Sequence, residues 1–371
     1  MDRVELAYLD RFLNDETPVF GLARAAWGFF LLDRAGLTQL WPALRVPLPP
    51  GRTGRDLLAP LAIARGPLAA LLLRRRVPAG ADYYNVGHTN LSRWRLRAIR
   101  RLGRCRISVL IHDVIPLQHP EFTRPDTLAS FRRKLKAVAR EGGRVICTCN
   151  TTAADVRKAL ADLGRTPPIL IAPLGVDPVE ARPDPQVTDW LAGRPCFLAV
   201  GTIEPRKGYD FLLDLWEDMH RTRPETEIPC LVIAGRRGWR NDAVFRRLDG
   251  LPMVGRTVFE CADLPDAAVA ALMDGAEALL FPSRAEGYGL PVIEAAARGC
   301  PVLCQPLPVF GELLGDYPVY LREGDRYSWL ETMDGLIKTG RQRDGLERRR
   351  LTSRRPPGWE SHFNRVLSQP L

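Results

Sequence analysis

Lysine is nearly missing from this chain. Among 53 cationic residues only Lys134, Lys136, Lys158, Lys207 and Lys338 are lysines; the rest are arginines, and the formal net charge is +10. No run of 18 apolar residues occurs, so no segment reads as a membrane-spanning helix. The opening residues, Met1-Asp2-Arg3-Val4-Glu5, are charged and do not read as a secretory signal. No G-x-G-x-x-G with an acid about 20 residues later is present, which excludes the dinucleotide fingerprint of a dehydrogenase. No zinc finger, helix-turn-helix or aromatic-interleaved RNA motif accompanies the basic clusters at Arg74–Arg76, Arg93–Arg106 and Arg348–Arg350. Solubility ranks first as the reason for the charge, an anionic membrane surface close behind, and nucleic acid a distant third.

Eight cysteines are present, and Cys147, Cys149, Cys196 and Cys230 lie in runs that read as buried strands. Cys147 and Cys149 would share one strand face. A metal site is the sharper reading of that pair, but no partners at zinc spacing are visible, so core packing is expected and no metal. Unpaired buried thiols point to a reducing cytosol. A chain of 371 residues fits two domains with cores of their own.

Apolar strand-like runs alternate with helical patterns, which argues for parallel sheets. In the first half the runs are Gly28–Leu32, Ile107–Ile111, Val145–Cys149 and Ile169–Ala172. In the second half they are Cys196–Val200, Leu231–Ala234, Ala278–Phe281 and Pro301–Cys304. Nearly all are continuous rather than alternating, as in strands covered on both faces. The proline-rich stretch from Asp177 to Pro185 reads as a linker. The expected fold class is therefore α/β, with two Rossmann-like doubly wound domains facing a cleft. Residues 1–178 form the first, 190–350 the second, and 351–371 carry a last helix packing back toward the first. Ligands in such sheets bind beyond the carboxyl ends of the strands, so the residues after each strand matter most.

After Ala278–Phe281 comes Pro282-Ser283-Arg284-Ala285-Glu286-Gly287-Tyr288-Gly289-Leu290-Pro291-Val292-Ile293-Glu294. The glycines permit a tight loop, Pro291 suits the first turn of a helix, and the two glutamates can face the cleft mouth and accept from sugar hydroxyls. Acids near a helix start also simply complement its dipole, which accounts for one glutamate but not the glycine loop between two. After Cys196–Val200 comes Gly201-Thr202-Ile203-Glu204-Pro205-Arg206-Lys207-Gly208. Arg206 and Lys207 at a helix start oppose its dipole unless an anion such as a diphosphate sits between. His112-Asp113 follows Ile107–Ile111; His112 there is a core residue, a turn residue or a cleft donor, and His88 occupies a similar loop.

Together these residues resemble glycosyltransferase family 4, retaining enzymes with the GT-B fold. The likeness runs from about Tyr83 to Asp325 and is most specific at Glu286–Glu294 and at Val200–Gly208. Ala234–Trp239 and Leu264–Leu272 are similar to a branch of mannosyltransferases that build bacterial surface polysaccharides. The resemblance implies that Glu294 binds the donor ribose. It implies that Glu286 holds the transferred sugar with N–H groups of Tyr288, Gly289 and Leu290. Arg206 and Lys207, in the loop from Gly201, would neutralise the diphosphate, and His112 would touch the sugar near the reacting carbon. It further implies a nucleotide-diphosphate sugar donor, GDP-mannose favoured, with no cofactor and no metal. A glycan or lipid-linked acceptor is expected, at a cytoplasmic site with peripheral contact to an anionic inner membrane as an option.

Two departures from the family pattern stand out. Val4, Tyr8 and Phe12 have helical spacing, so the chain opens as if inside the first helix, with the family's first strand and glycine loop missing; a misassigned start or a truncated gene is the expectation. Cys304-Gln305-Pro306-Leu307-Pro308 replaces the usual small and acidic residues. The alternative function is a truncated, catalytically inactive paralogue that binds nucleotide sugar.

Overall fold

Continuous apolar runs become the inner strands of two parallel sheets. The computed structural model describes residues 3–24, 29–44, 51–89, 91–103, 105–340 and 357–368. Met1, Asp2, Gly28, Asn90, Arg104 and Arg348–Arg350 lie outside the described residues, as does the boundary at 350.

The first half contains α1 (Arg3–Leu13), β1 (Gly21–Arg24), β2 (Phe29–Leu32), α2 (Arg34–Leu40), α3 (Gly54–Leu61), β3 (Ala64–Arg65) and α4 (Pro67–Arg76). It continues with β4 (Asp82–Asn85), α5 (Arg93–Gly103), β5 (Arg106–Ile111), α6 (Ile115–Gln118), α7 (Pro125–Glu141), β6 (Arg144–Cys147), α8 (Asn150–Ala161) and β7 (Ile169–Ile171). The second half contains α9 (Pro185–Leu191), β8 (Cys196–Val200), α10 (Tyr209–Thr222), β9 (Cys230–Ala234), α11 (Asp242–Gly250), β10 (Val258–Cys261) and α12 (Asp266–Gly275). Then come β11 (Ala278–Phe281), α13 (Leu290–Ala297), β12 (Val302–Cys304), α14 (Pro308–Leu314), β13 (Val319–Tyr320) and α15 (Arg326–Gly340). Helix α16 (Trp359–Ser368) closes the described chain.

Strands β4-β5-β6-β7 form one parallel sheet, and β10-β9-β8-β11-β12-β13 form the other, also parallel. In the second sheet the order reverses between β8 and β11. That is the topological switch point, where the diverging loops leave a crevice for a ligand. The strands are dry: Val109, Leu110, Val145, Ile146, Phe197, Leu198 and Val232 are fully buried. Helix α10 shows why these segments fold as they do. Its apolar residues Phe211, Leu212, Leu215, Trp216 and Met219 repeat at helical spacing and are all buried, while Gly208 supplies the left-handed turn into it (φ +71°).

Three expectations need correction. The run at 29–32 does form a strand, but β2 pairs antiparallel with β1 and β3 in a separate small sheet. Its residues pack against short helices on both faces, so a continuous apolar run does not by itself mean a parallel neighbour. Cys149 is not in a strand. It caps α8, its sulfur accepting from the Thr152 N–H at 3.4 Å, so it does not share a strand face with Cys147. Strands β1, β3, β4, β10 and β13 were not anticipated; they are two to four residues long and all five lie at sheet edges, where, β10 apart, burial is partial and the apolar signal weak.

A cavity of about 1120 Å³ lies in the first half between the edge strands β1 and β4. It is lined by Phe12, Leu22, Leu58, Val77 and Tyr84, and at one end by Val86 and Gly87.

Helix α16 lies on the first domain. His362, Phe363 and Val366 are buried, and the His362 ring meets the Tyr8 hydroxyl at 2.9 Å. Phe363 packs edge-on against Tyr8 with centroids 5.0 Å apart. Gly175 lies so close to Trp359 that a side chain there has no room. Phe363→Ala should therefore cost about 3 kcal/mol, as for other buried Phe truncations, read by denaturant unfolding beside the wild type. A change within about 0.5 kcal/mol, the range of an ordinary surface substitution, would show that α16 is a loose appendage.

Candidate active site

The switch point gathers two loops. The one after β8 turns at Gly201 (φ +134°), passes through a short 3-10 turn over Pro205–Lys207, and enters α10 at Gly208. Gly235, at the end of β9, faces the Gly201 carbonyl so closely that any side chain would collide with backbone. The Tyr209 hydroxyl donates to that same carbonyl at 2.6 Å and fixes the turn. The other loop follows β11 and enters α13 at Gly289 (φ +80°), which packs against Phe310. Helix α13 begins with Leu290 and Pro291, and the first N–H groups of a helix have no partner within it.

These loops meet through charge. Lys207 Nζ donates to Glu286 Oε1 at 2.6 Å, and Arg206 reaches the same oxygen at 2.9 Å. Arg206 also pairs with Glu204 at 2.7 Å and donates to the Ala285 carbonyl at 2.8 Å. The Lys207 ammonium sits 4.6 Å from the centre of the Phe281 ring. The Glu286, Glu204 and Lys207 side chains are at most one-tenth exposed. Burial pushes the Glu286 carboxyl up, but Lys207 and Arg206 outweigh it and hold it below the usual carboxylate range. Burial pushes Glu204 up despite Arg206 and Lys207, and its second oxygen has no partner among the described residues.

The first domain closes over this cluster. Gly287 abuts the His112 backbone and the Asp113 Cβ so tightly that a side chain would meet the His112 carbonyl. The Gly287 carbonyl accepts from Thr152 Oγ1 at 2.8 Å. His112 Nε2 donates to the Val86 carbonyl at 2.8 Å, which fixes the tautomer and leaves Nδ1 as the acceptor in the neutral ring. His88 makes the matching bond to the Leu110 carbonyl at 2.9 Å, and the two rings lie 5.4 Å apart. Burial raises the Asp113 carboxyl while the nearby Arg206 pulls it the other way. The structure thus brings His112, Gly201, Arg206, Lys207, Glu286, Tyr288, Gly289 and Leu290 to one junction. Tyr288 turns its ring inward, its hydroxyl donating to the Leu174 carbonyl at 3.0 Å, so only its backbone is offered to a ligand.

Glu294 lies on α13 and is gripped from the other domain. Arg3, in the first turn of α1, donates to Glu294 and pairs with Asp266 at 2.7 Å. Burial raises the Glu294 carboxyl; Arg3 opposes that and Asp266 adds to it. No reading of spacing pointed to Arg3, because its partners are 263 and 291 residues away. Glu312 was also missed. Its carboxylate accepts from the Asn150 and Thr151 N–H groups at 2.6 and 2.8 Å, so a side chain of α14 caps α8 across the domain boundary. Among the described residues no cluster of three or more His, Cys, Asp or Glu could hold a metal.

Residues 182–348 match the family model for glycosyl transferases group 1. This stretch is a group 1 glycosyltransferase domain. The serotype-specific mannosyltransferase WbdA of Escherichia coli is 30% identical over 224 residues, which is 57% of this chain and 27% of that protein. The chain thus aligns to about a quarter of the length of this relative. The group 1 domain sits in a GT-B fold. An alpha,alpha-trehalose-phosphate synthase of Burkholderia xenovorans superposes with a TM-score of 0.61 at 13% identity, over 96% of this chain and 90% of that one. HepE of Anabaena, solved with UDP-glucose, gives 0.59 at 14% identity, over 90% and 88%.

The buried cluster predicts a distinct pH response. Glu286→Gln leaves Arg206 and Lys207 buried without their shared carboxylate, which should cost about 3 kcal/mol at pH 7. Because folding holds Glu286 below its ordinary value, the unfolded chain binds more protons as pH falls below about 4.5. The wild-type advantage over the variant should therefore shrink on acidification through that window. A stability gap independent of pH, from unfolding curves between pH 3 and 7, would contradict the pairing.

Proposed function

We propose that this protein is a retaining glycosyltransferase that moves a hexose from a nucleotide-diphosphate sugar to a glycan or lipid-linked acceptor in surface polysaccharide synthesis. Mannose from GDP-mannose is the favoured donor. The observation that carries the reading is the pair Arg206 and Lys207, buried on one carboxylate at the switch point, with Glu294 on the adjoining helix. The similarity to WbdA, a mannosyltransferase, supports the choice of sugar.

In this reading the donor diphosphate displaces Glu286 from Arg206 and Lys207. Glu286 then accepts from hydroxyls of the hexose, and Glu294 from those of the ribose. The N–H groups of Tyr288, Gly289 and Leu290 face the donor, and His112 flanks the reacting carbon. The bond from the anomeric carbon to the phosphate oxygen breaks while the acceptor oxygen bonds on the same face, and the acceptor proton passes to the departing diphosphate. The protein's part is positioning and charge. Arg206 and Lys207 stabilise the dianion as it leaves, in a site where donors preorganised by Glu286 need no rearrangement from water. Two cations of the chain supply this charge, so turnover should persist in a chelator. The reaction belongs to the cytoplasm, where nucleotide sugars are available.

Two measurements test the reading. In a thermal-shift panel of GDP, UDP, GDP-mannose and UDP-sugars, one nucleotide family should raise the melting temperature, and Glu294→Ala should abolish the shift. Lys207→Ala should lower turnover by about 10²–10³ at saturating donor, as for loss of one preorganised donor. No shift with any nucleotide would overturn the assignment. A shift without turnover would favour the inactive nucleotide-sugar binder instead.

A further inference from the structure

The described residues include six large apolar side chains that stand exposed, and three of them lie on two neighbouring helices. Leu68 and Leu71 on α4 are 65% and 46% exposed, and Trp94 on α5 is 60% exposed. The two helices pack against each other, so their outer faces belong to one region of the first domain. Each carries an exposed stripe at i, i+3, i+7 spacing. On α4 it reads Leu68, Leu71, Arg75; on α5 it reads Trp94, Arg97, Arg101. Their inward faces are ordinary core, with Ala69 and Leu73 buried on α4 and Leu96 and Ile99 on α5.

The charge on these helices is of one sign. Neither contains an acidic residue. Arg93 and Arg100 are tied to Glu141, and Arg95 folds in over the rings of Trp94 and Phe29. Arg75, Arg97 and Arg101 make no ion pair among the described residues. Core needs do not place leucines and a tryptophan outward beside these arginines. A plain solvated face would carry mixed charge and no exposed Trp. A nucleic-acid surface would use aromatics for stacking but gains nothing from Leu68 and Leu71. An interface with a second copy would set arginines of one chain against those of the other.

We propose that the α4–α5 face docks on an anionic lipid bilayer, with Leu68, Leu71 and Trp94 entering the headgroup boundary and Arg75, Arg97 and Arg101 resting on lipid phosphates. A tryptophan at that depth keeps its ring in the apolar layer and its N–H in the headgroups. Arginine stems lie along apolar surface while their guanidinium groups pair with phosphate. The face is separate from the cleft, so docking leaves the donor site open. The inference needs only the surface and does not rest on the assignment of the donor.

The test is co-sedimentation of the full chain with vesicles of phosphatidylglycerol and phosphatidylcholine, against pure phosphatidylcholine. Binding should require phosphatidylglycerol and weaken as salt rises. Arg97→Gln with Arg101→Gln should lower the affinity about 25-fold, roughly fivefold for each arginine near the surface. Leu68→Ser, Leu71→Ser and Trp94→Ser together should abolish it while leaving the melting temperature and any nucleotide-induced shift unchanged. Those two controls separate a failure of docking from a failure of the donor site or of folding. Equal binding to both vesicle types, or full binding by the triple variant, overturns the proposal. So does a lipid-free dimer that the triple variant dissolves, since the face would then be an interface between copies of the chain.

Discussion

A buried carboxylate shared by two cations is the constraint around which the rest of this molecule is arranged. Glu286 holds Arg206 and Lys207 at 2.9 and 2.6 Å in a site from which water is largely excluded. Such a cluster is costly to assemble, because each ion loses its hydration. Its geometry is what makes it useful. Two positive groups are kept oriented at the crevice of the second sheet, and in the proposed function an incoming diphosphate displaces their carboxylate partner. The glycines follow from that requirement: Gly201 makes the turn, Gly235 lets the neighbouring loop approach, and Gly287 lets the first domain press onto the cluster.

The domain junction combines a buried apolar cluster, running from Leu110, Ile146 and Leu174 to Tyr288, Val292 and Phe310, with hydrogen bonds to backbone. Thr152 donates to the Gly287 carbonyl, Glu312 caps α8, Tyr288 donates to the Leu174 carbonyl, and Arg240 donates to the Thr123 carbonyl. Trp239 adds a bond to the Phe122 carbonyl at 3.3 Å, with Arg124 over its ring. Hydrogen bonds of this kind set register and can be exchanged one by one, which suits a cleft that must admit a ligand. Arg3 belongs to the same set, since it joins the first helix to Glu294 and Asp266. Helix α16 adds an apolar strap on the first domain through Tyr8, His362 and Phe363.

Much of this was legible in the chain because the physics was local. Strands buried on both faces read as continuous apolar runs, and β5, β8, β9 and β11 fell where those runs fell. The loop glycines and Pro291 marked turns whose geometry demands them. What the chain hid was of two kinds. Short edge strands such as β1, β4 and β13 are half-exposed, so neither periodicity nor apolarity marks them. Contacts between distant segments carry no local signature: Arg3 with Glu294 and Glu312 with α8 follow only once both sheets are in place. The antiparallel pairing of β2 was lost for a related reason, since burial on two faces looks the same whatever the direction of the neighbour.

The account stands or falls on whether Arg206 and Lys207 receive a diphosphate. The most direct measurement is the calorimetric affinity of the wild-type chain for the preferred nucleoside diphosphate against the matching monophosphate, repeated with Lys207→Ala. The account predicts at least roughly tenfold tighter binding of the diphosphate, the size of one charge-assisted hydrogen bond, and loss of that preference in the variant. Equal affinity for the two nucleotides, or a preference that survives Lys207→Ala, would contradict it.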